Sequence, residues 1–393
     1  MTKKETEKKT NSISRRDFLK YASASAGITA ATLALSKSVS SALPTTRPPV
    51  TEHFLLGHPE GVAAASQTEG GMNPMEFLTD YYKPPKDLIT GERVFELTAV
   101  PQPIRIANGV QFPAWAFMPP PRGPPTFPGP TVPGPTLRCS EGDRVRIKFH
   151  NGDRHPHTIH LHGIHPADAD GVFEILNPGQ DYEYEFTAEP FGLFPYHCHV
   201  MPIKKHIAKG MYGAFIVDPV DPITGQVNRP QADREMVMVM NGFDVDFDEE
   251  SNEFYTVNGI ANYYLDHPIQ IRVGELVRIY LVNMTEVDPV NSFHLHGNMF
   301  RLYRTGTRFD PNATFGSTTG TLDERIKKWL YLDSFAEVTD TVFLGQGERA
   351  ILEFIPKSLH GPKEPQGPPG RFLFHAHQSE FVELGWTGLF EVV

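Results

Sequence analysis

The stretch Leu193-Phe-Pro-Tyr-His-Cys-His-Val-Met-Pro-Ile-Lys-Lys-His-Ile-Ala-Lys-Gly-Met211 sets Cys198 between His197 and His199, with His206 and Met211 following. One thiolate, imidazoles and a thioether in one strand-and-loop are the donors of a blue-copper site, where two His and one Cys bind in a plane and a Met sits far off on the axis. The second imidazole is absent from the stretch, and His157 is the candidate for it. Side chains alternate along a strand, so Cys198 faces one way and His197 and His199 the other. Thiolate and imidazoles therefore suit two metal sites on opposite sides of the strand, about 10 Å apart through the backbone. An electron arriving at Cys198 has a short covalent route to whatever the two histidines hold. The competing reading is a buried structural Cys beside surface histidines. Recurrence of the pattern later in the chain argues against it.

The elements that position these groups follow from composition. With 36 Pro and 33 Gly in 393 residues, turns are frequent and many short strands are favoured over long helices. The length suits two or three domains, and no apolar run reaches the length of a membrane span. Ser14-Arg-Arg-Asp-Phe-Leu-Lys20, the apolar run Tyr21 to Leu35 and Ser40-Ser-Ala42 resemble a twin-arginine export signal; an ordinary secretory signal with incidental arginines is the alternative. Such export carries folded proteins to the periplasm or beyond, which suits a metal fitted before crossing. Residues 1–42 hold eight Lys and Arg against three Asp and Glu, so the remainder stands at −16 where the whole chain stands at −11. An acidic body argues against nucleic acid and anionic membrane as partners. Of the two cysteines, Cys198 has a metal-ligand context that a disulfide would destroy, and Cys139 reads as a buried strand thiol.

Residues 43–90 are polar, lack clear periodicity and read as an arm or linker. Strands are expected from Val94 onward. Met118 to Pro135 is too proline-rich for helix or central strand and reads as an extended surface loop. Beyond it lies a repeat. Ile269–Ile279 parallels Leu137–Ile147, and each copy leads to His-Leu-His-Gly, at His160 and at His294. Each then reaches a second His-x-His, His197/His199 and His375/His377, and a Gly-x-x-Gly turn into a closing strand, from Gly210 and from Gly385. The pattern predicts an all-β chain of two tandem Greek-key sandwich or barrel domains, 91–220 and 230–393, hinged after Asp218.

Seventeen histidines placed at random would give about one His-x-His pair or fewer. There are five, and four occupy matching positions in the repeats. The fifth, His155/His157, flanks a proline, and His155 is discounted as a ligand. From about residue 94 to the end the sequence resembles a multicopper oxidase of two cupredoxin domains, in His157-x-x-His160-x-His162, His197-Cys-His199 with His206 and Met211, His294-x-His296 and His375-x-His377. The resemblance implies copper, four per chain. The type 1 ligands would be His157, Cys198, His206 and Met211; the type 2 ligands His160 and His294; the type 3 ligands His162, His197, His199, His296, His375 and His377. In the second repeat Asn291, Ala376, Phe381 and Trp386 stand where the first has His157, Cys198, His206 and Met211. One copy thus retains the electron port while both retain cluster histidines.

The implied activity is laccase-like: one-electron oxidation of a reducing substrate at the type 1 copper and reduction of O2 to water at the trinuclear cluster. The reductant is open among a phenol, a metal ion and a small redox protein. Eight residues separate Cys198 from His206 where the family usually has five, a loop closer to that of copper nitrite reductases. Such a reductase is the main rival reading, although it would carry Asp at the place of His160 and a non-ligand at that of His199. A copper-binding or electron-carrying protein without turnover is the other. Asp170 is the candidate proton relay, or a plain turn aspartate. With no spacer domain between the half-sites, a homotrimer with the cluster at the subunit interface is expected.

Overall fold

The structure is a computed structural model that describes residues 73–120, 129–221, 224, 226–227, 229, 231–304, 321–322, 337–357 and 370–393. The export-signal reading of residues 1–42 and the arm as far as residue 72 lie outside the described residues. The first half supplies β1 (Tyr81–Tyr82), β2 (Arg93–Ala107), β3 (Val110–Met118), β4 (Thr136–Ser140), β5 (Arg144–Asn151), β6 (His160–Leu161), β7 (Asp181–Thr187), β8 (Gly192–His197) and β9 (Tyr212–Asp218). They form two sheets, ordered β3-β2-β5-β7 and β1-β4-β9-β8-β6. The second half supplies β10 (Arg234–Phe243), β11 (Phe254–Val257), β12 (Ile269–Ile271), β13 (Val277–Asn283), β14 (Val290–Leu295), β15 (Phe300–Arg304), β16 (Glu337–Thr339), β17 (Thr341–Gly345), β18 (Arg349–Phe354), β19 (Arg371–His375) and β20 (Thr387–Val392). These order as β11-β10-β13-β18-β15-β16 and β12-β20-β19-β14-β17.

The sequence repeat is a topological repeat. The run β4-β9-β8-β6 corresponds to β12-β20-β19-β14, with the first pair parallel and the others antiparallel in both. Alternation decides what each strand buries. Along β5, Val145, Ile147 and Phe149 enter the core of the first sandwich while Arg144, Arg146 and Lys148 face out. β10 is buried on both faces for most of its length: Met236, Met238 and Met240 fill the second core, whereas Val237, Val239 and Phe243 pack against Ile104, Phe112 and Ile216 of the first half. At about 1.5–3 kcal/mol for each fully buried large side chain, this contact fixes the two halves as one body.

The Gly-x-x-Gly turns have a common physical cause. Gly210 and Gly385 have φ of +106° and +116°, and a Cβ there would lie 2.5 Å from Val132 and 2.4 Å from Ala261. At Gly213 and Gly388 a Cβ would collide with the rings of Tyr196 and Phe374.

Two expectations need correction. The end of the arm is packed, not loose: α1 (Pro74–Phe77), capped by Asn73, buries Phe77, and Leu78 and Tyr82 enter the second and first cores. Tyr264, on α3 (Tyr263–Asp266), donates its hydroxyl to the Pro74 carbonyl at 2.8 Å. Three or four apolar residues are too few to show a period in sequence. The proline-rich loop is likewise not all surface, because Thr131 to Pro135 are buried. Proline carries no N–H to leave unpaired, so such a run can cross an apolar interior without a strand partner. Residues 121–128 of that loop lie outside the described residues. At the start of the hinge, Asp218 is anchored by cations. Burial alone would raise the Asp218 carboxyl, but hydrogen bonds from Arg138 and the charges of Arg229 and Lys83 hold it below the usual range.

Candidate metal centre

β8 ends at His197 and delivers Cys198 to the interior of the first sandwich. The longer loop after it is a short helix, α2 (Ile203–Ala208), whose fourth residue is His206. That turn brings His206 Nδ1 to 3.2 Å from Cys198 Sγ, while His157 Nδ1 lies 3.7 Å from the same sulfur. His157 Nε2 donates to Asp153 Oδ2 at 2.9 Å, which leaves the Nδ1 lone pair facing the sulfur. His157, Cys198 and His206 are 0, 0 and 4 % exposed. Met211 is buried beside them, and its carbonyl accepts the Cys198 amide at 3.0 Å. Burial pushes the Cys198 thiol up and the His206 imidazole down to about 4. Neutral imidazoles are ready donors, and a buried thiolate needs a cation beside it.

Behind this site, His160, His162, His197 and His199 form a quartet of packed rings. His160 Nδ1 donates to the Asp170 carbonyl at 2.7 Å and lies 3.2 Å from its carboxylate, so Asp170 orients this ring as well as neighbouring it. His197 Nδ1 donates to the Cys198 carbonyl at 3.0 Å, and its Nε2 meets His162 Nε2 at 3.3 Å. The His199 amide donates to Thr158 Oγ1 at 3.0 Å. Burial, then the neighbouring His197, His160 and Arg349, lowers His162 to about 3; burial chiefly lowers His197 to about 4.

The second half reproduces this pattern. His294 Nδ1 donates to the Asp340 carbonyl at 3.0 Å, His375 Nδ1 to the Ala376 carbonyl, and His296 Nε2 meets His375 Nε2 at 2.9 Å. The His377 amide donates to Ser292 Oγ at 2.7 Å. Asp340 is thus the counterpart of Asp170. Sequence reading missed it because the segment before it has no match in the first repeat. Its signal was a position one residue before the strand that pairs with His294. Where the first half has its sulfur site, the second has apolar core. Trp386 is fully buried and donates to Asn291 Oδ1 at 2.9 Å, and Phe381, on α4 (Ser379–Glu383), stacks on Tyr255. The amides of Trp386 and Met211 bond the carbonyls of Phe381 and His206, so the two positions correspond.

Among the described residues no ring contact joins one quartet to the other, and the one neighbour outside them is His165, against His160. Exposed apolar side chains lie near both in the chain. Ile164 follows His162 by two residues, and Phe173 and Ile175 follow Asp170 by three and five. Beside the second, Val290 and Phe343 project from the same face of the β14–β17 pair as His294, and Met299 follows on the next turn.

A cavity of about 360 Å³ opens beside His162 and His197 and is also lined by Ile207, Met284, Glu286 and Gln346. Burial pushes the Glu286 carboxyl up to about 7, against the Gln346 amide that donates to it and the charge of Lys204. A raised carboxyl favours the folded state most below its unfolded range. That contribution is lost as pH rises from about 4.5 towards 7, amounting to about 2 kcal/mol after allowance for water in the cavity. The buried histidines pull the other way, since His162, His197 and His206 stay neutral where the unfolded chain binds protons, so the Glu286 contribution is read as a difference. In urea unfolding of the copper-free protein, Glu286→Gln should gain stability relative to wild type between pH 5 and pH 8. A difference that does not change with pH would exclude a raised Glu286 carboxyl.

Models of the multicopper oxidase family match residues 127–221 and 233–393. A crystal structure of a multicopper oxidase is 41% identical, with a TM-score of 0.67, over 84% of this chain and 100% of that one. The probable nitrite reductase-hydroxylamine oxidoreductase fusion protein of Kuenenia stuttgartiensis is 28% identical over 314 residues, 76% of this chain and 31% of that protein. The copper-containing nitrite reductase of Neisseria gonorrhoeae is 29% identical over 223 residues, 52% of each. The chain thus spans about a third to a half of the length of these curated relatives. The chain belongs to the multicopper oxidase family, and its fold is the all-β, cupredoxin-like one that the repeat implied. A thiolate with two imidazoles on one side of β8, and two imidazole quartets, are donor sets that fit copper.

Proposed function

We propose that the chain is a laccase-like oxidase that takes single electrons from a reducing substrate and reduces O2 to water. One observation carries this: two quartets of imidazoles oriented by backbone carbonyls at corresponding positions, only one of which backs onto a buried Cys-His-His site. Type 1 copper would be held by His157, Cys198, His206 and Met211, type 2 by His160 and His294, and the type 3 pair by His162, His197, His199, His296, His375 and His377. Copper supplies the one-electron chemistry, and four such centres per chain match the four electrons that O2 needs. The protein supplies the rest. Asp153 holds the His157 ring, the Asp170 and Asp340 carbonyls turn His160 and His294 so that Nε2 is free, and the Cys198 backbone links sulfur to His197 and His199. The Asp170 carboxylate, 3.2 Å from His160 Nδ1, is placed to relay protons.

Each quartet offers half a cluster, so the working form is a homotrimer in which the first half of one copy meets the second half of the next. The exposed apolar rims support this, since large apolar side chains beside a polar site are what a subunit contact buries. Export by the twin-arginine-type signal to the periplasm or outside belongs to the same proposal and rests on the residues from Ser14 to Ala42. No helix among the described residues is long and apolar enough to cross a membrane.

The curated relatives and the lengthened loop favour a copper nitrite reductase as the second reading, but His160 and His199 are the two positions where such an enzyme lacks imidazole. Copper counting with EPR separates the two. Four coppers per chain, two of them EPR-visible, with O2 uptake on adding a phenol, support the oxidase. Two coppers, both visible, with nitrite consumption, support the reductase. Bound copper without either turnover supports a carrier.

A further inference from the structure

Among the described residues His157 and His206 are 0 and 4 % exposed, so the imidazoles beside the sulfur offer almost no surface to a reductant. The first exposed ring is that of His155, which the sequence reading set aside as a ligand and whose side chain is 44% exposed. It packs on Trp115 with centroids 4.5 Å apart. Trp115 is buried and lies against both His206 and His157, at 4.9 and 5.4 Å. A second link runs through Asp153, whose Oδ2 accepts from His155 Nδ1 at 3.2 Å and from His157 Nε2 at 2.9 Å. The indole is held in register: its backbone amide donates to the Lys209 carbonyl at 2.8 Å, just past the helix that carries His206. Both links from His155 therefore end on the imidazoles that face the Cys198 sulfur. Charge around the stack is modest. Lys205 Nζ lies 5.9 Å from the indole centroid, and Lys204 is engaged by Glu249 at 3.1 Å.

Resting on the copper-oxidase reading above, we propose that electrons reach the Cys198 site through the His155–Trp115 pair, with an aromatic reductant stacking on His155. One electron leaves the reductant and one reduces the cupric ion beside Cys198 to cuprous. Neither ring changes oxidation state, and the hydroxyl proton that a phenolic reductant loses passes to water. His155 meets the reductant, and Trp115 couples it to His206.

The test uses the copper-loaded full chain, with hydroquinone as the aromatic reductant. The rate at which hydroquinone bleaches the sulfur-to-copper absorption without O2 should fall at least tenfold, about 1.4 kcal/mol of activation free energy, in His155→Ala and in Trp115→Leu. His155→Phe and Trp115→Phe keep a ring in place and should stay close to wild type. Reoxidation of the fully reduced protein by O2 draws on no outside electron and should change less than twofold. In the copper-free protein, hydroquinone should shift the His155 ring resonances. Bleaching of His155→Ala at the wild-type rate overturns the proposal. So does a slowing accounted for by a changed midpoint potential, or an unmoved His155 resonance. Wild-type protein that develops neither the absorption nor O2 reoxidation would instead refute the oxidase reading itself.

Discussion

Two variants that are each inactive should recover oxidase activity when assembled together. His162→Ala damages the quartet of the first half and His296→Ala that of the second, so each protein alone is expected to be inert. If the cluster forms between copies arranged head to tail, a mixed ring contains junctions where an intact first half meets an intact second half. Random assembly of equal amounts makes about a quarter of the junctions intact, and O2 uptake should return to about that fraction of wild type. The chain that supplies the intact first half also supplies the intact Cys198 site, so electron delivery is preserved at each rescued junction. The physical ground is the separation of the ring contacts into two groups, with Val290 and Phe343 exposed on the His294 face of the β14–β17 pair. A mixture that native mass spectrometry shows to be a mixed trimer, yet that takes up no O2, would mean the quartets serve separate sites. A monomeric mass for active wild-type protein would remove the trimer altogether.

Cys198→Ser is expected to cut turnover with any reductant by at least about a thousandfold, about 4 kcal/mol in the barrier. Oxygen for sulfur removes the soft ligand that selects copper at this position. The hydroxyl would stand where the sulfur lies 3.2 Å from His206 Nδ1, within reach of a hydrogen bond, so the loss of stability is too small to unfold a chain with cores of this size. Copper content should fall by one per chain and the intense visible absorption should vanish, while the coppers on the two quartets stay. Retention of the absorption, or of a tenth of the rate, would show that electrons reach the quartets by a route that bypasses Cys198.

The all-β class and the internal repeat were legible because strands alternate with period two and because turn glycines recur where geometry demands them. Gly210 and Gly385, Gly213 and Gly388 mark the same two steric requirements in both copies. The candidate ligands were legible for a similar reason: Cys198, His206 and Met211 lie within one strand-and-loop, and His157 precedes His160 by three residues. Even the emptied site could be read as Asn291, Ala376, Phe381 and Trp386, and the structure adds how it was filled, by an indole hydrogen-bonded to Asn291. The packed arm was not legible, because Phe77, Leu78 and Tyr82 each enter a different core. Nor was burial of Thr131 to Pro135, since a proline run looks alike in solvent and in an interior.

Taken alone, the amino-acid order determined which side chains could bind metal and on which face of a strand each one lies, because both follow from residue type and a two-residue period. Only the tertiary structure decided what surrounds them: that Asp340 stands for Asp170, that Glu286 shares a cavity with His162 and His197, and that Trp115 packs between His206 and His155. Those residues sit on strands and loops distant in sequence from the ligands they touch. Their meeting depends on how the sheets pack, and no local pattern of the chain encodes that.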